Sequence, residues 1–185
     1  MRRFILAGAG LLASCACAAG APQAAVHTNE ARTLAARQAA IAWLGKQVSS
    51  YERTTWRWQR LMGVPLTPTA GRVLAQMSVP DAQRAVVLWK RRAAQARRRA
   101  HRPPHLAAWL CIHRYEASWT DGGSPYFGGL QMDLGFQERY GGWLLRAKGT
   151  ADHWTPLEQI WIAEKAARSR GFYPWPNTAR VCGLI

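Results

Sequence analysis

Residues 109–131 read WLCIHRYEASWTDGGSPYFGGLQ, and the order of residue types within them decides how the rest of the chain is taken. Leu106, Trp109, Leu110, His113 and Glu116 or Ala117 recur at i, i+3, i+4, i+7 and i+10 or i+11. This spacing predicts a helix from about His105 with Glu116 on or beside its apolar stripe, near the carboxyl end. Asp121-Gly122-Gly123-Ser124-Pro125 is a turn cluster, and Tyr126 to Met132 suits a short hairpin or extended segment. A carboxylate partly desolvated by aromatic neighbours holds its proton to higher pH, as a general acid at a glycosidic oxygen must. The plainer alternative is a helix-end carboxylate paired with Arg114 or Arg139.

Working outward, Arg102-Pro103-Pro104 stops a preceding helix predicted from about Pro80 to His101. Its stripe is Val79, Ala82, Val86, Trp89, Ala93, Ala96 and Ala100, and its other faces carry Arg84, Lys90, Arg91, Arg92, Arg97, Arg98, Arg99 and Arg102. Trp89 is expected to pack this helix onto the downstream domain. Further upstream, a helical pattern starts near Thr28. Gly45 interrupts it without ending it, and Ser49 with Glu52 fits a capping box opening a second helix that Met62-Gly63-Val64-Pro65 closes. Downstream, a helix near Gln137 to Lys148 is interrupted by Gly141-Gly142. Thr155-Pro156-Leu157-Glu158 is a complete helix start: N-cap, proline at the first position, glutamate at the third. That helix should run to about Ser169 and end at Gly171, before an aromatic strap, Phe172-Tyr173-Pro174-Trp175-Pro176, that continues to Cys182.

The chain has 185 residues, 49% of them hydrophobic, ten Trp and a net charge of +15. That length supports one domain plus an extension. The charge is uneven: fifteen Lys/Arg face three Asp/Glu between residues 21 and 104, but eight face seven from 105 onward. The basic character therefore belongs to the middle of the chain. The bland reading is a solvated helix face; the others are anionic wall polymer, a membrane surface or nucleic acid.

Arg2 and Arg3 followed by the apolar run Phe4 to Ala13 form an export signal over residues 1–18, too short to span a bilayer. Leu12-Ala13-Ser14-Cys15 fits a lipobox in which Cys15 is lipidated; cleavage after Ala16-Cys17-Ala18 is the other reading. Either places the protein outside the cytoplasm, associated with the cell wall or anchored through Cys15, which disfavours nucleic acid. Residues 19–25 read as a tether. Export leaves Cys111 and Cys182 as a lone pair in an oxidising setting, and a disulfide between them is the natural reading. It would close a loop of about 70 residues and stabilise by about 4 kcal/mol in the chain-entropy model. A metal site of Cys111, His113 and Cys182 has no recognised zinc spacing, and no metal or cofactor is expected. A Cys111 nucleophile with His113 or His153 is a further reading.

Several short patterns occur in one order: Cys111 and Glu116, Trp119, Tyr126-Phe127-Gly128-Gly129-Leu130-Gln131, Gln159-Ile160 with Ala163-Glu164, and Gly171-Phe172 with Trp175-Pro176 and Cys182. In this the segment from about Leu110 to Cys182 resembles the transglycosylase domain of resuscitation-promoting factors, small members of the lysozyme superfamily that act on bacterial peptidoglycan. Two spacings differ from that family's. There the cysteine directly precedes the catalytic glutamate, whereas here it lies five residues earlier, offset by about 140° on an ideal helix. Trp119 is also the third residue after Glu116 and not the fifth.

The resemblance implies a lysozyme-like domain with a small β-hairpin over residues 105–185; the helical pattern of the preceding residues, which the resemblance does not cover, adds a basic α-helical extension over 19–104, so the expected fold class is mainly α (α+β). The resemblance further implies a peptidoglycan lytic transglycosylase or lysozyme-like muramidase acting on glycan strands. Apart from the resemblance, a monomer without a cofactor is expected. Glu116 would protonate the leaving oxygen between N-acetylmuramic acid and N-acetylglucosamine. It would then deprotonate the muramic acid 6-hydroxyl, giving a 1,6-anhydro product. Hydrolysis would more often require a second carboxylate, for which Asp121 is nearest in sequence. Trp119, Tyr126, Gln131 and Trp175 would contact sugar: Tyr126 by stacking, and Gln131 as both donor and acceptor. A non-catalytic wall-binding module with a structural Glu116 is the alternative.

Overall fold

The computed structural model describes residues 21–69 and 76–185. The expected export signal, with Cys15 and Cys17, lies outside them. The described chain is mainly helical, with one two-stranded antiparallel hairpin. Its helices are α1 (Ala21–Met62), α2 (Val79–Ala100), α3 (Leu106–Tyr115), α4 (Leu134–Lys148), α5 (Pro156–Arg170) and α6 (Pro176–Val181). The strands β1 (Tyr126–Phe127) and β2 (Met132–Asp133) lie between α3 and α4, pairing Tyr126 with Asp133 and Phe127 with Met132.

The described chain separates into two units, divided between Ala40 and Ile41. Described side chains of the first belong to the amino-terminal part of α1, and nearly all of them are exposed. The second unit holds all the other elements. Two expectations about α1 change. It begins at Ala21, inside the stretch read as a tether, and it runs through Gly45 and Ser49 without a break. Ser49 therefore caps nothing. Glu52 is 4% exposed and accepts a hydrogen bond from the Thr69 hydroxyl at 3.0 Å, so the Ser-x-x-Glu pattern reflects an inward helix face. Met62 ends α1 as expected, with Gly63 at φ 64°.

In the second unit α5 is the interior element. Glu158 to Glu164 are all buried, and Ile160, Trp161, Ile162 and Ala163 join Trp109, Ile112, Leu130, Met132, Leu144, Trp154 and Trp175 in one core. Its start is the expected capping box, with Thr155 and Glu158 exchanging side-chain and backbone bonds. Lys148 closes the same corner, its ammonium 2.7 Å from both Glu158 oxygens. Burial alone would raise the Glu158 pKa; the Lys148 bond, helped by the Thr155 amide, outweighs it and holds the carboxyl below its ordinary value. Lys165, the residue directly after the buried run, is pushed down by burial and by the Arg168 guanidinium. α4 is kinked at Gly141, where a Cβ would lie 2.8 Å from the Trp154 ring, so the expected interruption is a packing requirement.

The helix expected to stop at Arg102-Pro103-Pro104 ends at Ala100, and residues on both sides of 104/105 pack together. Leu61, Met62 and Ala100 belong to the α5 core. Trp161 Nε1 donates to Ala100 O at 2.7 Å, and Arg168 Nη2 donates to Met62 O at 2.6 Å. The ends of α1 and α2 are thus capped by α5 side chains, because terminal carbonyls need donors. Trp89 does not make this connection. It is 1% exposed in a separate cluster with Leu44, Val48 and Ala82, edge-on to Trp56 at 6.3 Å, and so joins α2 to α1.

Candidate active site

The site forms where α3 ends. Trp109 and Ile112 are its buried residues, while Leu110 is 47% exposed, so the apolar stripe is rotated from the predicted one toward Ile112. Glu116 N–H is shared between the carbonyls of Ile112 at 3.1 Å and His113 at 3.3 Å, after which the backbone leaves the helix at φ −94°, ψ −91°. Glu116 is the C-cap, half-buried, and among the described residues it makes no ion pair. Arg139 lies over the Tyr140 ring instead, at 5.6 Å. The carboxylate is instead held by Thr178, whose hydroxyl donates to Glu116 Oε1 at 2.7 Å.

Thr178 lies on α6, and this short helix accounts for the shifted cysteine. Cys111 and Cys182 are joined, with a Cα–Cα distance of 6.1 Å across 71 residues of sequence. The disulfide fixes one end of the α3–α6 contact and the Glu116–Thr178 bond fixes the other. Moving forward along α3 from Cys111 to Glu116 corresponds to moving back along α6 from Cys182 to Thr178, so the two run antiparallel. Five positions on α3 match four on α6 because Glu116 has already left helical geometry, and an angle extrapolated along an ideal helix does not apply to it. The bridge also consumes both sulfurs, which removes the donors of the Cys111–His113–Cys182 metal set and the Cys111 thiolate. No cluster of metal-binding side chains occurs among the described residues.

Glu116 lines an open cleft of about 220 Å³ with Tyr126, Gln131, Pro174, Trp175, Pro176 and Asn177. The hairpin supplies one wall. Gly128 (φ 73°) and Gly129 make it possible: a Cβ on Gly128 would fall 2.5 Å from Gln159 Oε1, and one on Gly129 would fall 2.6 Å from His113 Nδ1. Only glycine permits both approaches. His113 lies 3.1 Å from Gly129 O and stacks on Trp119 at 3.9 Å, while Gln159 Nε2 donates to Trp119 O at 2.8 Å.

Of the expected sugar contacts, Tyr126, Gln131 and Trp175 reach the cleft, but Trp119 does not line it. Tyr126 stands at the rim, 49% exposed. Trp175 is wall and not platform: it is 5% exposed, packs edge-on to Trp109 and Phe136, and donates from Nε1 to Leu130 O at 2.6 Å. Gln131 has a narrower role than expected. Its backbone is left-handed (φ 47°), and Nε2 donates to Asp121 Oδ2 at 2.7 Å and Gly128 O at 3.0 Å. Both amide hydrogens are therefore spent, so Gln131 has only its oxygen to offer a ligand. Asp121 is engaged in holding Gln131, and Glu116 is the one carboxylate lining the cleft among the described residues. Pro174, Pro176, Asn177 and Thr178 were not anticipated. Pro176 after an aromatic was the available signal, marking a helix start at its first position.

A second cavity, about 270 Å³, opens between α1 and α2 and is lined by Thr55, Gln59, Arg92 and Arg99 among others. Gln59 already bonds Thr67 through both amide atoms, and no carboxylate lines it among the described residues.

No protein-family model matches the chain, and no curated protein or solved structure is detectably similar to it.

Proposed function

We propose that this chain cleaves the β-1,4 bond between N-acetylmuramic acid and N-acetylglucosamine in bacterial peptidoglycan, as an exported lytic transglycosylase with Glu116 as its single acid and base. One observation carries the reading: Glu116 ends α3 in an open cleft, anchored by a hydroxyl and unpaired with any cation among the described residues. Its wall partners, Tyr126 and Gln131, are residues that the resemblance to resuscitation-promoting factor domains assigns to sugar contact. Glu116 donates its proton to the departing glycosidic oxygen. The resulting carboxylate takes the proton of the muramic acid 6-hydroxyl as that oxygen bonds to the anomeric carbon, giving a 1,6-anhydro end. This cycle needs one carboxylate, which suits a cleft where Asp121 is committed to Gln131. The disulfide suits the oxidising compartment that export implies.

The Thr178 bond favours a second reading, in which Glu116 only ties α3 to α6 and the domain binds wall without cutting it. Glu116→Gln separates the two, because an amide oxygen still accepts from Thr178. Glycan release from purified sacculi falls by about a hundredfold or more if Glu116 is the acid; unchanged release overturns that assignment. Mass spectrometry of the products then distinguishes an anhydro end from a reducing end, which is heavier by one water.

A further inference from the structure

We propose that the outward face of α2 is a docking surface for an anionic lipid bilayer. Ala82, Trp89, Ala93, Ala96 and Ala100 face inward. At 100° per residue the opposite direction is taken by Arg84, Arg91 and Arg98, and all three are exposed. Each is seven positions from the next, so the guanidiniums form a row with a rung about every 10.5 Å along the axis. Lys90, Arg97 and Arg99 are exposed beside it. Arg92 lies over the Trp89 ring at 4.8 Å and is not part of the row. The helix has one carboxylate, Asp81, which is bonded to Ser78 and Arg84. Past Arg84 the cations have no acidic partner among the described residues.

A row of solvated arginines suits any polyanion. Val87 and Leu88 make the difference, because they stand 49% and 47% exposed between Arg84 and Arg91. A soluble anionic polymer has no use for them. At a bilayer, guanidiniums meet lipid phosphates while the apolar side chains between them enter the acyl boundary, so both kinds of residue are used. The shape agrees, since an exposed helix face 22 residues long can lie along a plane over its length. In this arrangement the protein is held at the membrane by α2, independently of any lipid on its amino terminus and of what the Glu116 cleft does.

Sedimentation of the full chain with vesicles tests this. Phosphatidylglycerol mixed with phosphatidylcholine is compared with phosphatidylcholine alone, so that any contribution of the amino-terminal segment appears in both. Partition should favour the anionic vesicles and weaken as salt is added to the parent protein. The triple variant R84E/R91E/R98E should lose about a hundredfold in partition at the usual contribution of each basic residue. Val87→Ser with Leu88→Ser should lose about tenfold. Circular dichroism should be unchanged in both, since every substituted side chain is exposed. Equal partition to neutral vesicles, or a parent-like triple variant, overturns the proposal. If soluble polyglutamate displaces the protein and the Val87/Leu88 variant partitions like the parent, the face is a polymer surface and the lipid assignment falls.

Discussion

The two ends of α3 each meet a carboxylate, and the two are treated oppositely. At the amino end Glu164, 2% exposed on α5, accepts from the His105 backbone N–H at 2.8 Å and lies 3.1 Å from the His105 ring nitrogen. Both oxygens are used, and the negative charge sits where the helix dipole welcomes it. At the carboxyl end Glu116 has a single hydroxyl on one oxygen and lines open space. The dipole gives a carboxylate no benefit there, so helix stability does not explain its position. Glu164 is how α3 is attached; Glu116 is what the attachment presents.

Isosteric amides break this comparison most directly. Glu116→Gln should reduce glycan cleavage by about a hundredfold or more while the melting temperature barely moves, since Thr178 keeps an acceptor. Glu164→Gln should do the reverse: cleavage per folded molecule stays near the parent's, and stability falls by about 2 kcal/mol as a buried charge-assisted pair is lost. Loss of activity without loss of stability in Glu164→Gln would make the amino end part of the chemistry and dissolve the distinction.

The carboxyl end has its own fastener in the disulfide. Cys111→Ser with Cys182→Ser should cost about 4 kcal/mol in chemical denaturation, because a 71-residue separation is no longer closed. It should also loosen α6, so that Thr178 no longer holds Glu116 and cleavage falls at temperatures where the protein is still folded. A double serine variant as active and as stable as the parent would show that α6 is placed by Trp175 packing alone.

Much of this was legible from residue order, and the limits have physical causes. Thr155-Pro156-x-Glu158 predicted its helix because three local requirements coincide there, and each is satisfied by neighbours in sequence. Ser49-x-x-Glu52 has the same spelling yet caps nothing, because nothing in four residues says whether glutamate reaches back to a backbone or across to Thr69. The position of Glu116 followed from apolar spacing, but its partner did not. Thr178 sits on a six-residue helix, too short to leave a periodic signature, and meets Glu116 only because 71 residues have been brought together at Cys111–Cys182. Trp119 reads equally well as a sugar platform or as core; the choice depends on His113, which stacks on it. Arg102-Pro103-Pro104 truly ends a helix, but whether a helix end is also a domain end depends on tertiary partners such as Trp161.

The cleft's other wall gives a smaller effect. Gly128→Ala places a Cβ at φ 73° and 2.5 Å from Gln159 Oε1, so the turn or Gln159 must move. The expected cost is about 2 kcal/mol of stability. Because Gly128 O also accepts from Gln131, KM should rise more than kcat falls. A variant with parent KM would separate Gln131 from the Glu116 side of the cleft.

The smallest effect concerns the other buried carboxylate of α5, Glu158, which shares with Glu164 the property of being fully engaged. Its pKa is depressed below the ordinary 4.5, burial being outweighed by Lys148 and the Thr155 amide. A group depressed on folding stabilises above its unfolded pKa, and the contribution disappears as pH falls through the lower folded value. Glu158→Gln should therefore be less stable than the parent by about 1 kcal/mol at neutral pH, given that Lys148 is partly solvated. The two denaturation curves should converge as the medium is acidified below pH 4.5. A gap that stays constant with pH would mean that Glu158 acts through the shape of its capping box and not through its charge. In that case full hydrogen bonding, which both α5 carboxylates have and Glu116 lacks, would be the whole of what separates the structural acids from the one left facing the cleft.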